Sequence, residues 1–313
     1  MLRTVMRWKL VVLVVCLLLP AQAWGWNERG HLAIARLAWL KLGECQRQTC
    51  TEILRTHPHY AEYLAAVKPE GIALDEWVFI RASYWPDWVR SNHSDDFNRP
   101  TWHYLSVAYV PPYSKLNPAD MPRQEPNVVT QIAANAALLR SGAAAERPIA
   151  LCWLLHLIGD IHQPLHCGSL LTEEFPTGDQ GGNLSIVRLA GGEPLRLHFA
   201  WDALLGAESD LPSILGTVTQ LQELESTDSQ FAVCKTADAT TAADWAAEGL
   251  ALVRTRVYLD GALRPCHADR QTDVSLIPNL SDEYVSAATA TARVRAIQAA
   301  RRTASTLAAS LNR

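Results

Sequence analysis

Apolar residues recur at the three- and four-residue intervals of an α-helix in His31 to Leu42, Val128 to Leu139, Ile149 to Ile161, Thr241 to Leu259 and Asp282 to Leu311. These stretches are rich in alanine and leucine, which lose little on entering a helix. Alternation of apolar and polar positions, the strand pattern, stands out in Leu184 to Phe199 on either side of Gly191-Gly192, and predicts a β-hairpin. Proline in Val110 to Pro126, and acidic and turn residues in Leu171 to Gly182, predict loops. No repeat, low-complexity run or linker interrupts the pattern. The expected fold is all-α, a single helical domain over residues 26–313 with one small hairpin.

The first 25 residues follow a different rule. Arg3, Arg7 and Lys9 precede an apolar run from Leu10 to Leu19, then Pro20 and the small residues Ala21, Ala23 and Gly25. Basic start, apolar middle and small-residue end make a secretory signal peptide. The run is about half the roughly 20 residues a membrane-spanning helix needs. Cleavage after Ala23 or after Gly25 satisfies the small-residue requirement, exposing Trp24 or Trp26. The expected location is therefore secreted or periplasmic, with no stable membrane insertion after cleavage.

Export changes the charge and the thiol count. Loss of residues 1–25 removes three basic groups and takes the formal net charge from −4 to −7. A broad basic surface is thereby excluded as the means of holding a ligand. Cys16 leaves with the leader and six of the seven cysteines stay. An even number in an exported chain favours disulfides, and the sequence spacing suggests Cys45 with Cys50 and Cys234 with Cys266. A helix from Cys152 to about His162 rises roughly 15 Å, so Cys152 and Cys167 make poor partners and are expected to be free.

The densest chemistry lies in Leu-His-Leu-Ile-Gly-Asp-Ile-His-Gln-Pro-Leu-His, residues 155 to 166. His156 and Asp160 are four apart and share a helix face, and Pro164 turns the chain so that His166 can fold back. His198 and Asp202 repeat the four-residue spacing. A His/Asp pair on a helix is commonly a surface hydrogen bond, but His156 is set among Cys152, Trp153, Leu154, Leu155, Leu157 and Ile158. Polar groups in such a setting need a strong partner to offset desolvation, and a divalent ion supplies one. His162 falls about 240° around the helix from His156, which suits a supporting or packed role rather than a ligand. His57, His59, His93 and His267 have no metal-like context and are expected at the surface. Asn92, Asn183 and Asn279 each begin an Asn-x-Ser sequon.

These motifs closely resemble the zinc-dependent single-strand nucleases of the S1/P1 type. The Ala82 to Arg90 segment, with one residue inserted beside the Trp, Trp102-His103-Tyr104, and Asp179-Gln180-Gly181-Gly182-Asn183 resemble further signatures of that family in order. The resemblance covers about residues 26 to 202. It implies a mainly helical phospholipase C/P1-nuclease-like fold and three zinc ions. Asp87, His103, His156 and Asp160 would hold the first; His166, His198 and Asp202 the second; Trp26, His31 and Asp160 the third. In this family the mature amino terminus is a tryptophan that chelates zinc, with a histidine five residues later. Trp26 and His31 have that spacing, which favours cleavage after Gly25.

The activity implied is hydrolysis of single-stranded RNA or DNA to 5′-phosphate products, with 3′-nucleotidase activity, through zinc-activated water and zinc stabilisation of the leaving 3′ oxygen. Arg90 would neutralise charge on the phosphoryl oxygens and Asn183 would bind phosphate or sugar. Tyr104 would stack on a base. The family usually carries Asp or Asn three residues after the histidine of the His-aromatic motif, credited with touching the base. Here that position is Ser106, so base preference is expected to weaken or change. Two alternatives stand beside this one: a zinc phospholipase C, which shares the fold and the amino-terminal tryptophan, and a secreted zinc-binding protein without catalysis. The nuclease is favoured over the lipase by the short Trp26-to-His31 gap, by Asp202 where phospholipases place Glu, and by Gly-Asp-Ile-His-Gln-Pro. No protein partner is evident.

Overall fold

The computed structural model describes residues 26–92, 94–121, 124–232, 241–270 and 274–311. Helices α1 (Glu28–Lys41), α2 (Glu44–Leu54), α3 (Leu74–Ala82), α4 (Trp85–Asn92) and α5 (Ser94–Phe97) form the first half. They are followed by α6 (Val128–Ser141), α7 (Arg147–Asp160), α8 (Leu197–Asp202), α9 (Leu211–Thr227), α10 (Ser229–Ala232), α11 (Ala242–Leu252) and α12 (Asp282–Leu311).

Local signals set the helix ends. Asn27 caps α1 by accepting from the Gly30 N–H, and Glu28 and Lys41 oppose the helix dipole at its two ends. Asn127 does the same for α6, accepting from the N–H groups of Val129 and Thr130. Helix α7 carries Pro148 in its first turn, where a missing N–H costs nothing, and is then buried without a break from Ala150 to Asp160. A helix that is apolar all round has no face to give to water, so it becomes the centre of the domain. Helices α1, α2, α3, α4, α6 and α12 pack around it. The alanines at 292, 296, 299 and 300 are buried against the rest of the core and let α12 approach closely.

Two small sheets lie at the edge of this bundle. Strand β1 (Val107–Tyr109) runs parallel to β2 (Gly168–Leu170), with Val107 opposite Gly168. Strand β3 (Ser185–Leu189) pairs antiparallel with β4 (Pro194–Arg196), Ile186 opposite Arg196, and its other neighbours are β5 (Cys266–His267) and β6 (Asn279–Leu280). A second apolar cluster, with Leu165, Phe175, Val187, Trp201, Val257 and Tyr258, joins this sheet to the bundle.

The helical expectation holds for the class as a whole, and its details need correction. The hairpin ends at Arg196, because Leu197 and His198 begin α8 rather than continuing the strand. The helix expected from Thr241 to Leu259 stops at Leu252 and passes through a wider turn over Val253–Val257. The β1–β2 pair was not expected at all, since three residues are too few to display a period. Cys45 and Cys50 are free thiols on one α-helix, about 140° apart around its axis, so the suggested disulfide does not form. Cys266 is also a free thiol, and Cys234 lies outside the described residues. Cys152 and Cys167 are free and buried.

His57 and His59 are buried, contrary to expectation. They pack among Trp85, Trp88 and Phe97, where the Trp85 indole N–H donates to His59 Nδ1 at 3.0 Å. His267 is half-buried and stacks on Phe175, and His93 lies outside the described residues. Burial drives the His57 imidazole down to about 3, with His59 adding to the effect.

The central role of α7 has a direct test. Leu154 is fully buried in the main core. Leu154→Ala is expected to cost about 2–5 kcal/mol, read from the denaturant midpoint at unchanged slope.

Candidate metal centre

Five histidines and three aspartates from separate parts of the chain meet around the C-terminal turn of α7. Each has at most 4 % of its surface exposed: His31, Asp87, His103, His156, Asp160, His198 and Asp202, and with them the fully buried His166. Among the described residues they form three groups whose ligand atoms lie within 4.8 Å of one another: His31, His156 and Asp160; Asp87, His103 and His156; and His166, His198 and Asp202.

Asp160 is the hub. Its Oδ2 lies 3.0 Å from His103 Nδ1 and 3.1 Å from His156 Nε2, and its Oδ1 lies 3.3 Å from His31 Nε2. Asp87 Oδ1 faces the same nitrogens, at 3.7 Å from His156 Nε2 and 3.9 Å from His103 Nδ1. His31 reaches this position because residue 159 is glycine. A Cβ there would come within 2.9 Å of His31 Nδ1. The His31 ring then stacks on His156 at 4.1 Å between centroids.

Main-chain carbonyls orient the rings. His156 Nδ1 donates to the Ser83 carbonyl at 2.8 Å, His166 Nδ1 to His103 at 2.6 Å and His198 Nδ1 to Gly181 at 2.6 Å. A carbonyl can only accept, so each Nδ1 carries a proton, and when the ring is neutral its Nε2 presents a lone pair inward. His166 Nε2 and His198 Nε2 consequently face each other at 3.2 Å, with Asp202 Oδ2 3.5 Å from the latter. Gly181 adopts a left-handed backbone (φ 60°) that suits glycine and turns its carbonyl toward His198.

The donor set fits a divalent cation. Both Asp87 oxygens, Asp160 Oδ1 and His31 Nε2 are buried without a hydrogen-bond partner, a costly state for groups of this kind. Imidazole nitrogens with carboxylate oxygens are the ligand types zinc takes in catalytic sites. In the metal-free protein protons supply part of the compensation. Burial opposes charging His156, but Asp160 and Asp87 overcome it and raise its pKa. Burial alone would raise Asp160, yet His156, His166 and the hydrogen bonds from His103 and His156 hold it well below the usual carboxylate range. His103 is pushed down to about 4 by burial, against the pull of Asp160. Protons and a metal ion would thus compete for the same atoms.

Trp26 is fully buried, and its indole N–H donates to the Gly159 carbonyl at 3.1 Å, beside Asp160 in sequence. The next residue, Asn27, donates its backbone N–H to the Asp202 carbonyl at 3.4 Å. The start of the described chain therefore lies against two of the three groups. Arg90 is buried with Nη2 3.8 Å from Asp87 Oδ1. Asn183 is buried and donates to the Gln180 carbonyl at 2.9 Å, which commits one amide hydrogen to its own turn. Tyr104 and Ser106 are half-buried, in the segment that leaves His103 for β1. Leu105 between them donates its N–H to the His166 carbonyl at 2.7 Å.

Apart from His162, whose supporting role its place around the helix predicts, the residues behind the site carry no assignment in the sequence. Ser83 accepts from His156 through its carbonyl while its hydroxyl donates to the His31 carbonyl at 3.1 Å. Asp179 is fully buried and accepts from Ser169 Oγ, the Leu170 N–H, Ser185 Oγ and the Tyr258 hydroxyl, fixing the loop that presents Gly181. His162 is buried and bridges the Ile158 carbonyl to Arg302, which is bound to Glu248 through two bonds of 2.7 Å. Arg295 and Arg302 sit seven apart in α12 and gave no signal, because arginines in an alanine-rich helix read as a solvated face.

Burial raises Asp202 well above the usual carboxylate range, with Gln163 offsetting part of the effect. Its folded pKa therefore exceeds its unfolded one. That contribution to metal-free stability is present at low pH and is lost as pH rises through the folded pKa. Asp202→Asn is expected to raise the thermal midpoint of chelator-treated protein at neutral pH and to weaken metal binding. Parallel melts with and without chelator check both signs.

A family model described as S1/P1 Nuclease matches residues 26–312. Nuclease S1 of Aspergillus oryzae is 28% identical over 197 residues, 62% of this chain and 58% of that protein. Endonuclease 4 of Arabidopsis thaliana is 46% identical over 56 residues, 18% of this chain and 16% of that protein. The match thus spans little more than half the length of nuclease S1 and a short part of the plant protein. The family model, however, extends over nearly all of the described residues, from the buried Trp26 through the last turn of α12, and the chain belongs to the S1/P1 nuclease family.

Proposed function

We propose that this protein is a secreted zinc-dependent phosphodiesterase that cleaves single-stranded RNA or DNA to 5′-phosphate products and also removes 3′ phosphates from nucleotides. The observation that carries the reading is the convergence of three buried His/Asp groups with inward-facing lone pairs and shared members. In this reading Asp87, His103, His156 and Asp160 hold one zinc, His166, His198 and Asp202 a second, and Trp26, His31 and Asp160 a third. Bound there, zinc acidifies water and neutralises charge on phosphate oxygens.

The chain's own residues supply the rest. Arg90, held beside Asp87, directs its guanidinium to a phosphoryl oxygen and offsets negative charge that develops there. Asn183, next to the turn that fixes His198, hydrogen-bonds phosphate or sugar. Tyr104 offers a ring for stacking at the partly open edge of the site. Ser106 offers a single hydroxyl, which cannot make the paired hydrogen bonds of a carboxylate. Removal of the leader after Gly25 frees the Trp26 amine as a ligand, so the full site forms only after export.

Single-stranded DNA and phosphatidylcholine micelles, offered separately to zinc-replete protein secreted from its own leader, distinguish the nuclease from a phospholipase. The expected result is chelator-sensitive release of 5′-mononucleotides with the lipid intact. Phosphocholine release with intact DNA overturns the substrate assignment, and zinc binding without turnover on either overturns catalysis. Ser106→Asp is expected to sharpen base preference on defined oligonucleotides several-fold, with total zinc unchanged. An unaltered cleavage pattern contradicts that role for Ser106.

A further inference from the structure

Gln163 lies in the string that carries Asp160 and His166 and is not itself among the assigned ligands. It has no exposed surface. Its backbone N–H donates to the Asp160 carbonyl at 2.9 Å, and its own carbonyl accepts from the His166 N–H at 3.0 Å. The side chain crosses to another element: Nε2 donates to Asp202 Oδ1 at 2.7 Å. The amide orientation is fixed by its second bond, in which Oε1 accepts from the Leu165 N–H at 2.6 Å. A backbone N–H can only donate, so Oε1 must face Leu165 and the NH₂ group must face Asp202.

One side chain is therefore bonded, directly or through its own main chain, to members of all three groups assigned to zinc. Its grip on Asp202 also makes a choice. With Oδ1 engaged by Gln163, the oxygen left toward His198 Nε2 is Oδ2, at 3.5 Å. The segment itself is held from behind. Arg295 donates to the carbonyls of His162 at 3.2 Å and Ile161 at 3.4 Å, and Arg302 bonds the His162 ring at 2.8 Å.

We infer that Gln163 is a positioning residue for the second zinc: it holds Asp202 to a single ligating oxygen and locks that carboxylate to the turn that carries Asp160 and His166. The inference rests on the zinc reading above. Residues that orient a ligand in this way change metal affinity by about 10–100-fold when removed.

The test is competition of zinc-loaded protein with a chromophoric chelator, for wild type, Gln163→Met, Gln163→Glu, Asp202→Asn and the double variant Gln163→Met/Asp202→Asn. The expected result is that Gln163→Met loosens one ion of three by about 10–100-fold and leaves the other two as in wild type. Gln163→Glu loosens the same ion further, because its carboxylate opposes Asp202 Oδ1. In the Asp202→Asn background Gln163→Met adds less than about twofold, since coupled groups are not additive. Equal retention of all three ions in both single variants overturns the inference, as does a full additional loss in the double variant. Circular dichroism of the zinc-free proteins verifies folding. Should Gln163→Met not fold, Gln163→Glu, which keeps an acceptor for the Leu165 N–H, carries the comparison. Wild-type protein that takes up no zinc overturns the metal reading itself, a result separate from three bound ions that ignore residue 163.

Discussion

Charged and polar side chains buried at the end of an apolar helix are the constraint on which the rest of the structure turns. Helix α7 is buried without a break from Ala150 to Asp160, and it places His156 and Asp160 where water cannot solvate them. Such groups are tolerated only with strong partners. The partners come from far along the chain: His31 from α1, Asp87 from α4, and His103 from the turn before β1. The bundle packs these elements around α7, so core and site share one set of contacts. Leucine and tryptophan burial stabilises the arrangement, while the carboxylates and imidazoles within it carry a desolvation cost that protons or a cation would offset.

Main chain, rather than side chain, aims three of the imidazoles. The carbonyls of Ser83, His103 and Gly181 each hold one imidazole by its Nδ1 hydrogen. His103 has two roles, since its ring faces Asp160 while its carbonyl orients His166. His103 thus links one group to the next. Asp179, which ties together Ser169, Ser185 and Tyr258, performs an analogous service for the loop that presents Gly181.

Much of this was legible in the sequence, for physical reasons. The four-residue spacings at His156/Asp160 and His198/Asp202 follow from helix geometry, and the apolar neighbours of His156 announced its burial. The long helices showed their period because they are long. Elements of three residues, such as β1 and β2, show none. The burial of His57 and His59 escaped notice because their cover, Trp85, Trp88 and Phe97, arrives from more than twenty residues away. Gln163, Arg295 and Arg302 were invisible for the same reason, as their partners are defined only by tertiary packing.

In the proposed zinc reading Asp160 would be shared between two metal ions. Native mass spectrometry of zinc-loaded wild type beside Asp160→Asn tests it most directly. The account predicts three ions on the wild type and one on the variant, the survivor being held by His166, His198 and Asp202. A variant that keeps three ions, or loses only one, contradicts the shared role of Asp160.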